Sequence, residues 1–216
     1  MAEIANRGIK ISYETSGAGR PLILLHGWAC DRSWWVETGF TDSLQRDFRI
    51  INVDQRGHGS SDKPDAPSAY RAEEVVGDVL AVADAEGIDR FALWGYSYGG
   101  GVSWLTADST PERVVAIVTT GAWDPRPESL DEDWESFDAG WLESIRRHGM
   151  QGLLDQLLDW EGDAFWSQPP AWARAMILRG DPRALLAMQS SELLGMGVSR
   201  LADFPVPALL IAGERG

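Results

Sequence analysis

Ser97 is the residue with the clearest chemical prospects in this chain of 216 amino acids. It lies in Leu93-Trp94-Gly95-Tyr96-Ser97-Tyr98-Gly99-Gly100-Gly101, which contains Gly-x-Ser-x-Gly. Apolar, strand-like Phe91 to Leu93 precede it, and Val102 to Leu105 continue as a helix. A serine on so sharp a turn presents its hydroxyl above the edge of a sheet. Glycine is required at Gly95 and Gly99, because a side chain at either would collide with the turn. A serine hydroxyl is a weak nucleophile at neutral pH. It needs a base within hydrogen-bond reach, usually histidine, and an acid to orient that base. It also needs backbone N–H groups aimed at the oxyanion that develops on the substrate. Tyr98, directly after the serine, supplies one such N–H. The second is expected from Trp28, in the His26-Gly27-Trp28 turn that follows the apolar run Leu22 to Leu25. Two motifs far apart in sequence thus predict one oxyanion hole.

The elements that must position these residues can be read in order. Ile9 to Tyr13 alternates apolar and polar, as a half-buried strand does. Leu22 to Leu25 is continuously apolar, which suits a parallel strand covered on both faces. A helix is expected between Trp34 and Arg46, and a strand over Phe48 to Val53. The turn-rich loop Asp54-Gln55-Arg56-Gly57-His58-Gly59-Ser60-Ser61-Asp62-Lys63-Pro64 follows. Val75, Val76, Val79, Leu80, Val82 and Ala83 recur at helical spacing, with Gly87 as the stop. After Ser97 and its helix comes the buried strand Val114 to Val118. The alternation of strand and helix over 21–120 predicts an α/β fold: an open, mostly parallel sheet with helices on both faces.

From about Trp123 to Arg200 buried-strand runs give way to amphipathic patterns such as Leu153, Leu154, Leu157 and Leu158. Pro169-Pro170 and Asp181-Pro182 cut them into short helices. Six of the eleven tryptophans fall here. They read as the core of a small helical layer or as the lining of an apolar pocket. A strand pattern resumes at Ala208 to Gly213. The expected division is 1–121 as the main α/β part, 122–200 as a helical cap, and 201–216 as a return to the sheet.

Composition narrows the class. Hydrophobic content is 44% and charged content 24%, as in globular proteins, and the formal net charge is −14. That acidity argues against nucleic acid and anionic membranes as partners. The lone cysteine, Cys30, excludes an intrachain disulfide and suits a reducing compartment. The first residues lack the basic start and apolar run of a signal peptide, and no stretch is apolar enough to span a membrane. A cytoplasmic protein is expected. No His/Cys/Asp grouping has metal-ligand spacing, so no metal is expected. Gly99-Gly100-Gly101 lacks the Lys-Ser/Thr pair of a phosphate loop, and no cofactor is expected.

Taken together, His26-Gly27-Trp28, Asp54-x-Arg56-Gly57-His58-Gly59-x-Ser61, Gly95-Tyr96-Ser97-Tyr98-Gly99-Gly100 and Leu209-Leu210-Ile211-Ala212-Gly213 resemble the α/β-hydrolase superfamily, in its branch with a helical cap. The resemblance covers nearly all of the chain, in family order. It implies a serine hydrolase that works through an acyl-enzyme on Ser97, with Trp28 and Tyr98 at the oxyanion. His26, Gly27, Gly95 and Gly99 would support the loops. It implies that His26 and His58 are structural. His148, before Gly149, reads as a helix C-terminus where a cation offsets exposed carbonyls. The family places its acid just beyond the strand ending at Gly213, where Glu214 lies close to the strand end. Asp124, after the strand at 114–120, is the better internal candidate. The family's histidine follows one further strand, so the expectation is a C-terminally truncated chain that lacks its base and last strand and helix, and is inactive alone. The expected substrate is a small apolar or aromatic ester, lactone or similar acyl compound. Carbon–carbon bond hydrolysis, cofactor-free haloperoxidase chemistry and non-catalytic ligand binding are the alternatives. Oligomeric state stays open.

Overall fold

The computed structural model describes residues 1–121, 132–160, 164–191 and 203–212. Seven strands form one sheet in the order β1-β2-β4-β3-β5-β6-β7. They are β1 Ala2–Asn6, β2 Ile9–Ser16, β3 Arg20–Leu25, β4 Phe48–Asp54, β5 Phe91–Tyr96, β6 Val114–Thr120 and β7 Ala208–Ile211. β1, β2 and β4 pair antiparallel, and β4, β3, β5, β6 and β7 run parallel. β1 was not anticipated. It joins β2 through Arg7 and Gly8, both at positive φ (46° and 84°), the backbone of a two-residue type I′ hairpin. Arginine in a position that favours asparagine or glycine hid that turn.

The continuous apolar run Leu22 to Leu25 of β3 is buried on both faces, whereas Val115 of β6 is exposed, and alternate residues sort by face. Ile23, Leu25, Ile51, Val53, Phe91 and Leu93 join one core. It is filled by Val75, Val76, Val79 and Val82 of α3 (Ala72–Ala85) and by Val102, Trp104 and Leu105 of α4 (Tyr98–Ser109). Leu22, Leu24 and Ile50 point the other way and pack with Trp35, Trp34, Leu44 and Trp94. The helix expected over Trp34 to Arg46 is two short ones, α1 Ser33–Glu37 and α2 Phe40–Leu44, because Gly39 adopts φ 78° between them.

Between β6 and β7 the described chain is helical: α5 Glu132–Asp159, α6 Ala164–Ser167, α7 Ala171–Leu178 and α8 Pro182–Gln189. Gly149 (φ 62°, ψ −149°) breaks α5 immediately after His148, where the sequence suggested a helix end. Asp181 caps α8 by accepting the Arg183 and Ala184 N–H groups at 2.9 and 3.1 Å. Leu153, Leu154 and Leu157 of α5, with Met176 and Ile177 of α7, form a second core. Leu209, Leu210 and Ile211 of the outer strand β7 are exposed.

Candidate active site

Three loops meet at one sheet edge because of strand register. β3 lies between β4 and β5, with Leu25 opposite Val53 on one side and Gly95 on the other. The turn after β3 is therefore held between the loop after β4 and the serine turn after β5. The chain leaves β3 toward β4 on one side and returns to β5 on the other. Such a reversal opens the crevice at which α/β sheets bind ligands.

Ser97 adopts φ 49° and ψ −116°, a conformation with a backbone penalty for any residue but glycine. Neighbouring backbone holds it there. Its N–H donates to the Thr120 carbonyl at 2.9 Å, and its own carbonyl accepts the Gly100 N–H at 2.8 Å as α4 begins. Close approach explains the two glycines. A Cβ at residue 95 would lie 2.2 Å from the Gly99 carbonyl oxygen, and one at residue 99 would lie 2.2 Å from the Leu25 carbonyl oxygen. The first turn of α4 is thus seated on the end of β3. A Cβ at Gly27 would stand 3.4 Å from the Ser97 Cβ and 2.9 Å from the Tyr96 ring. The motifs of Trp28 and Ser97, distant in sequence, are neighbours in space. Ser97 and Trp28 are half-buried, and Tyr98 is buried.

The loop after β3 is clamped from the β4 side. Asp54 accepts the Arg32 N–H and the Ser60 N–H, each at 2.8 Å, and pairs with the Arg32 guanidinium. Gln55 donates its backbone N–H to His26 Nε2 at 3.1 Å and its side-chain amide to the His26 carbonyl at 2.6 Å. The Ala29 N–H donates to His58 Nε2 at 3.2 Å. Ala29 itself sits at φ 60°, a second strained non-glycine residue in the site. Buried Arg56 ties this clamp to α3 by a two-pronged contact with Asp78 at 2.6 and 2.7 Å.

These bonds also decide what the histidines can do. The other ring nitrogens, Nδ1 of His26 and Nδ1 of His58, lie 2.9 and 3.1 Å from the Gly27 and Arg56 carbonyls. An N–H pointing at each Nε2 selects the neutral ring with its proton on Nδ1. Burial pushes both pKa values down, that of His58 to about 3 with its neighbour His26 contributing. Their ring centroids are 4.9 Å apart, edge to face. Both imidazoles are therefore occupied as loop struts. His148 is exposed on α5.

Aromatic side chains from both parts of the molecule converge beside the serine. Trp34 stacks on Tyr96, the residue before Ser97, at 4.6 Å and 7°. On its other contacts it meets Trp166, Phe165 and Trp172 at 5.5 to 5.9 Å. Trp141, Trp160, Trp166 and Trp172 of the helical segment thus contribute to the second core, yet that core reaches the serine turn through Trp34 and Tyr96. Arg179, at the end of α7, ties the two parts together. Its Nε donates to Asp31 at 2.7 Å and its Nη2 to the Ser33 hydroxyl at 2.8 Å. Burial of Asp31 raises its pKa, but the bonds from Arg179 and Ser33 outweigh this and hold it below the ordinary carboxylate range.

Sequence reasoning passed over Gln55, Asp31 and Arg179. Gln55 stood inside a quoted loop, but only the fold shows what its amide faces. The Asp31–Arg179 pair spans a separation that no local pattern encodes. Asp124, Glu214 and Trp123 lie outside the described residues. Among the described residues, no three His, Cys, Asp or Glu side chains are grouped to hold a metal, and no helix is long and apolar enough to cross a membrane.

Comparison with known proteins gives the family of the chain. Residues 20–158 match the family model described as alpha/beta hydrolase fold. A pimeloyl-[acyl-carrier protein] methyl ester esterase from Nitrosomonas europaea is 32% identical over 215 residues, covering 94% of this chain and 80% of that protein. Among solved structures, an esterase from Rhodococcus sp. ECU1013 superposes with a TM-score of 0.79 at 28% identity, covering 98% of this chain and 79% of that one. The enol-lactonase from Burkholderia xenovorans LB400 gives 0.78 at 26% identity, covering 99% and 81%.

Proposed function

The chain belongs to the alpha/beta hydrolase fold family and is a hydrolase, and from that premise we propose that it cleaves an ester, lactone or similar acyl compound through an acyl-enzyme on Ser97. The observation that carries the proposal is the contact of two turns: Ser97, held at φ 49°, stands against Gly27, with 3.4 Å between its Cβ and the position of a Cβ there. In this reading Ser97 Oγ attacks the acyl carbon and passes its proton to a base. The carbonyl oxygen gains the electron pair and is held by the main-chain N–H groups of Trp28 and Tyr98. The tetrahedral species collapses, the C–O bond to the leaving oxygen breaks as the base returns the proton to that oxygen, and the acyl group stays on Ser97 for water to hydrolyse. Asp124, just beyond β6, is proposed as the acid that orients the base. The contacts that both ring nitrogens of His26 and of His58 make with the loop support a structural role for these two rather than that of the base.

The wall formed by Trp34, Tyr96, Phe165, Trp166 and Trp172 supports a small apolar or aromatic acyl group. One relative is named a methyl ester esterase and one solved neighbour an enol-lactonase, names that support an ester or lactone as the bond cleaved. The test is turnover of a series of p-nitrophenyl esters by the full-length protein, with mass spectrometry after a fluorophosphonate probe. The expected result is one adduct, on Ser97, and loss of both adduct and turnover in Ser97→Ala. Turnover that survives Ser97→Ala refutes the assignment, and a folded protein that binds esters without turnover or adduct favours a binding role.

A further inference from the structure

The acyl-transfer reading leaves open what keeps the Trp28 N–H aimed at the reacting centre, and this inference rests on that reading. The turn that carries it is closed by the Cys30 N–H donating to the Gly27 carbonyl at 3.1 Å, but that bond leaves the His26–Gly27 peptide ahead of it to be held by other groups. Ala29, one residue on, sits at φ 60°, and a non-glycine residue in that region stays there only when its surroundings hold it. One side chain grips the start of the turn. Gln55 is buried, donates its backbone N–H to His26 Nε2 at 3.1 Å, and donates its side-chain amide to the His26 carbonyl at 2.6 Å. That carbonyl oxygen is also the wall that position 99 approaches, with 2.6 Å between it and a Cβ built on Gly99. The His26 peptide is therefore caught between Gln55 on one side and the first turn of α4 on the other. Its orientation sets the path of Gly27 and Trp28 past Ser97.

We propose that Gln55 is the positioning residue of the oxyanion hole, holding the His26–Gly27 peptide so that the Trp28 N–H faces the oxygen of a substrate on Ser97. Gln55 does not touch substrate in this role. It acts through the loop, so its removal weakens stabilisation of the transition state more than binding of the substrate.

The test compares full-length wild type, Gln55→Met and Gln55→Glu. Methionine has similar length and no donor. Gln55→Met is expected to lower kcat for a small p-nitrophenyl ester by about 10- to 100-fold, as small misplacements of catalytic groups do, with KM within about twofold. Fluorophosphonate labelling of Ser97 should slow by a similar factor, and amide hydrogen exchange at Trp28 and Ala29 should quicken. Gln55→Glu adds a readout that mere packing would not move. Its carboxyl can donate to the His26 carbonyl only when protonated, so its kcat relative to wild type should rise as pH falls. A folded Gln55→Met with wild-type kcat and labelling overturns the inference alone. If Gln55→Met does not fold, a flat Gln55→Glu ratio across pH overturns it. Absence of any Ser97 adduct in wild type overturns the acyl-enzyme reading, and this inference with it.

Discussion

Acidification should unlock the loop clamp, and the loss can be worked from His58. Its folded pKa is held near 3 by burial, against 6.5 for an exposed histidine. The folded protein therefore binds this proton only below about 3, whereas the unfolded chain binds it below 6.5. Protons are taken up preferentially by the unfolded state between those values, so the contribution to stability is complete above 6.5 and falls as pH is lowered. The slope is about 1.4 kcal/mol per pH unit, and the loss from this one residue is roughly 2 kcal/mol at pH 5. His26, also pushed down by burial, acts in the same direction. Urea unfolding followed by the fluorescence of the eleven tryptophans, at pH 7 and pH 5, measures this. The comparison is with His58→Gln, whose amide oxygen can still accept the Ala29 N–H but cannot titrate. The variant is expected to be somewhat less stable at pH 7, yet to lose about 2 kcal/mol less than wild type on going to pH 5. Carboxylates common to both proteins cancel in that difference. If the two proteins lose stability in parallel, His58 is not buried and neutral, and the clamp as described is wrong.

Other expectations follow from the same contacts. Gly99→Ala puts a methyl 2.2 Å from the Leu25 carbonyl oxygen, and neither backbone can yield without moving β3 or α4. Thermal melts should show a loss of roughly 3 kcal/mol or more, and an unchanged midpoint would contradict the seating of α4 on β3. Tyr98→Phe should keep turnover within about twofold, because the proposed donor is the main-chain N–H, and a large loss would assign the phenol a role. Arg179→Ala removes the bonds to Asp31 and Ser33. With Arg179 half exposed, the expected loss is about 1 kcal/mol or less, but proteolysis should begin earlier in the helical segment between β6 and β7. Equal proteolysis of variant and wild type would show that the aromatic contacts alone hold the two parts together.

Much of this architecture was legible in the residues themselves, for a physical reason. A strand covered on both faces must be apolar at every position, so Leu22 to Leu25, buried throughout, announces a parallel strand without reference to anything else. A turn as tight as that around Ser97 tolerates only glycine two residues to either side, so the serine's role as a candidate nucleophile is written locally. What local chemistry cannot encode is adjacency. The meeting of Trp28 with Ser97 depends on Leu25 lying opposite Gly95, and that register is settled by the packing of the whole sheet. The same holds for Gln55 on the His26 carbonyl, for two histidines kept neutral by burial, and for Arg179 on Asp31 across 148 residues. By itself the sequence determined the α/β class and singled out a serine. Only the tertiary structure decided which backbone groups surround that serine and which side chains hold them, because those contacts are made by segments that share nothing until the sheet has formed.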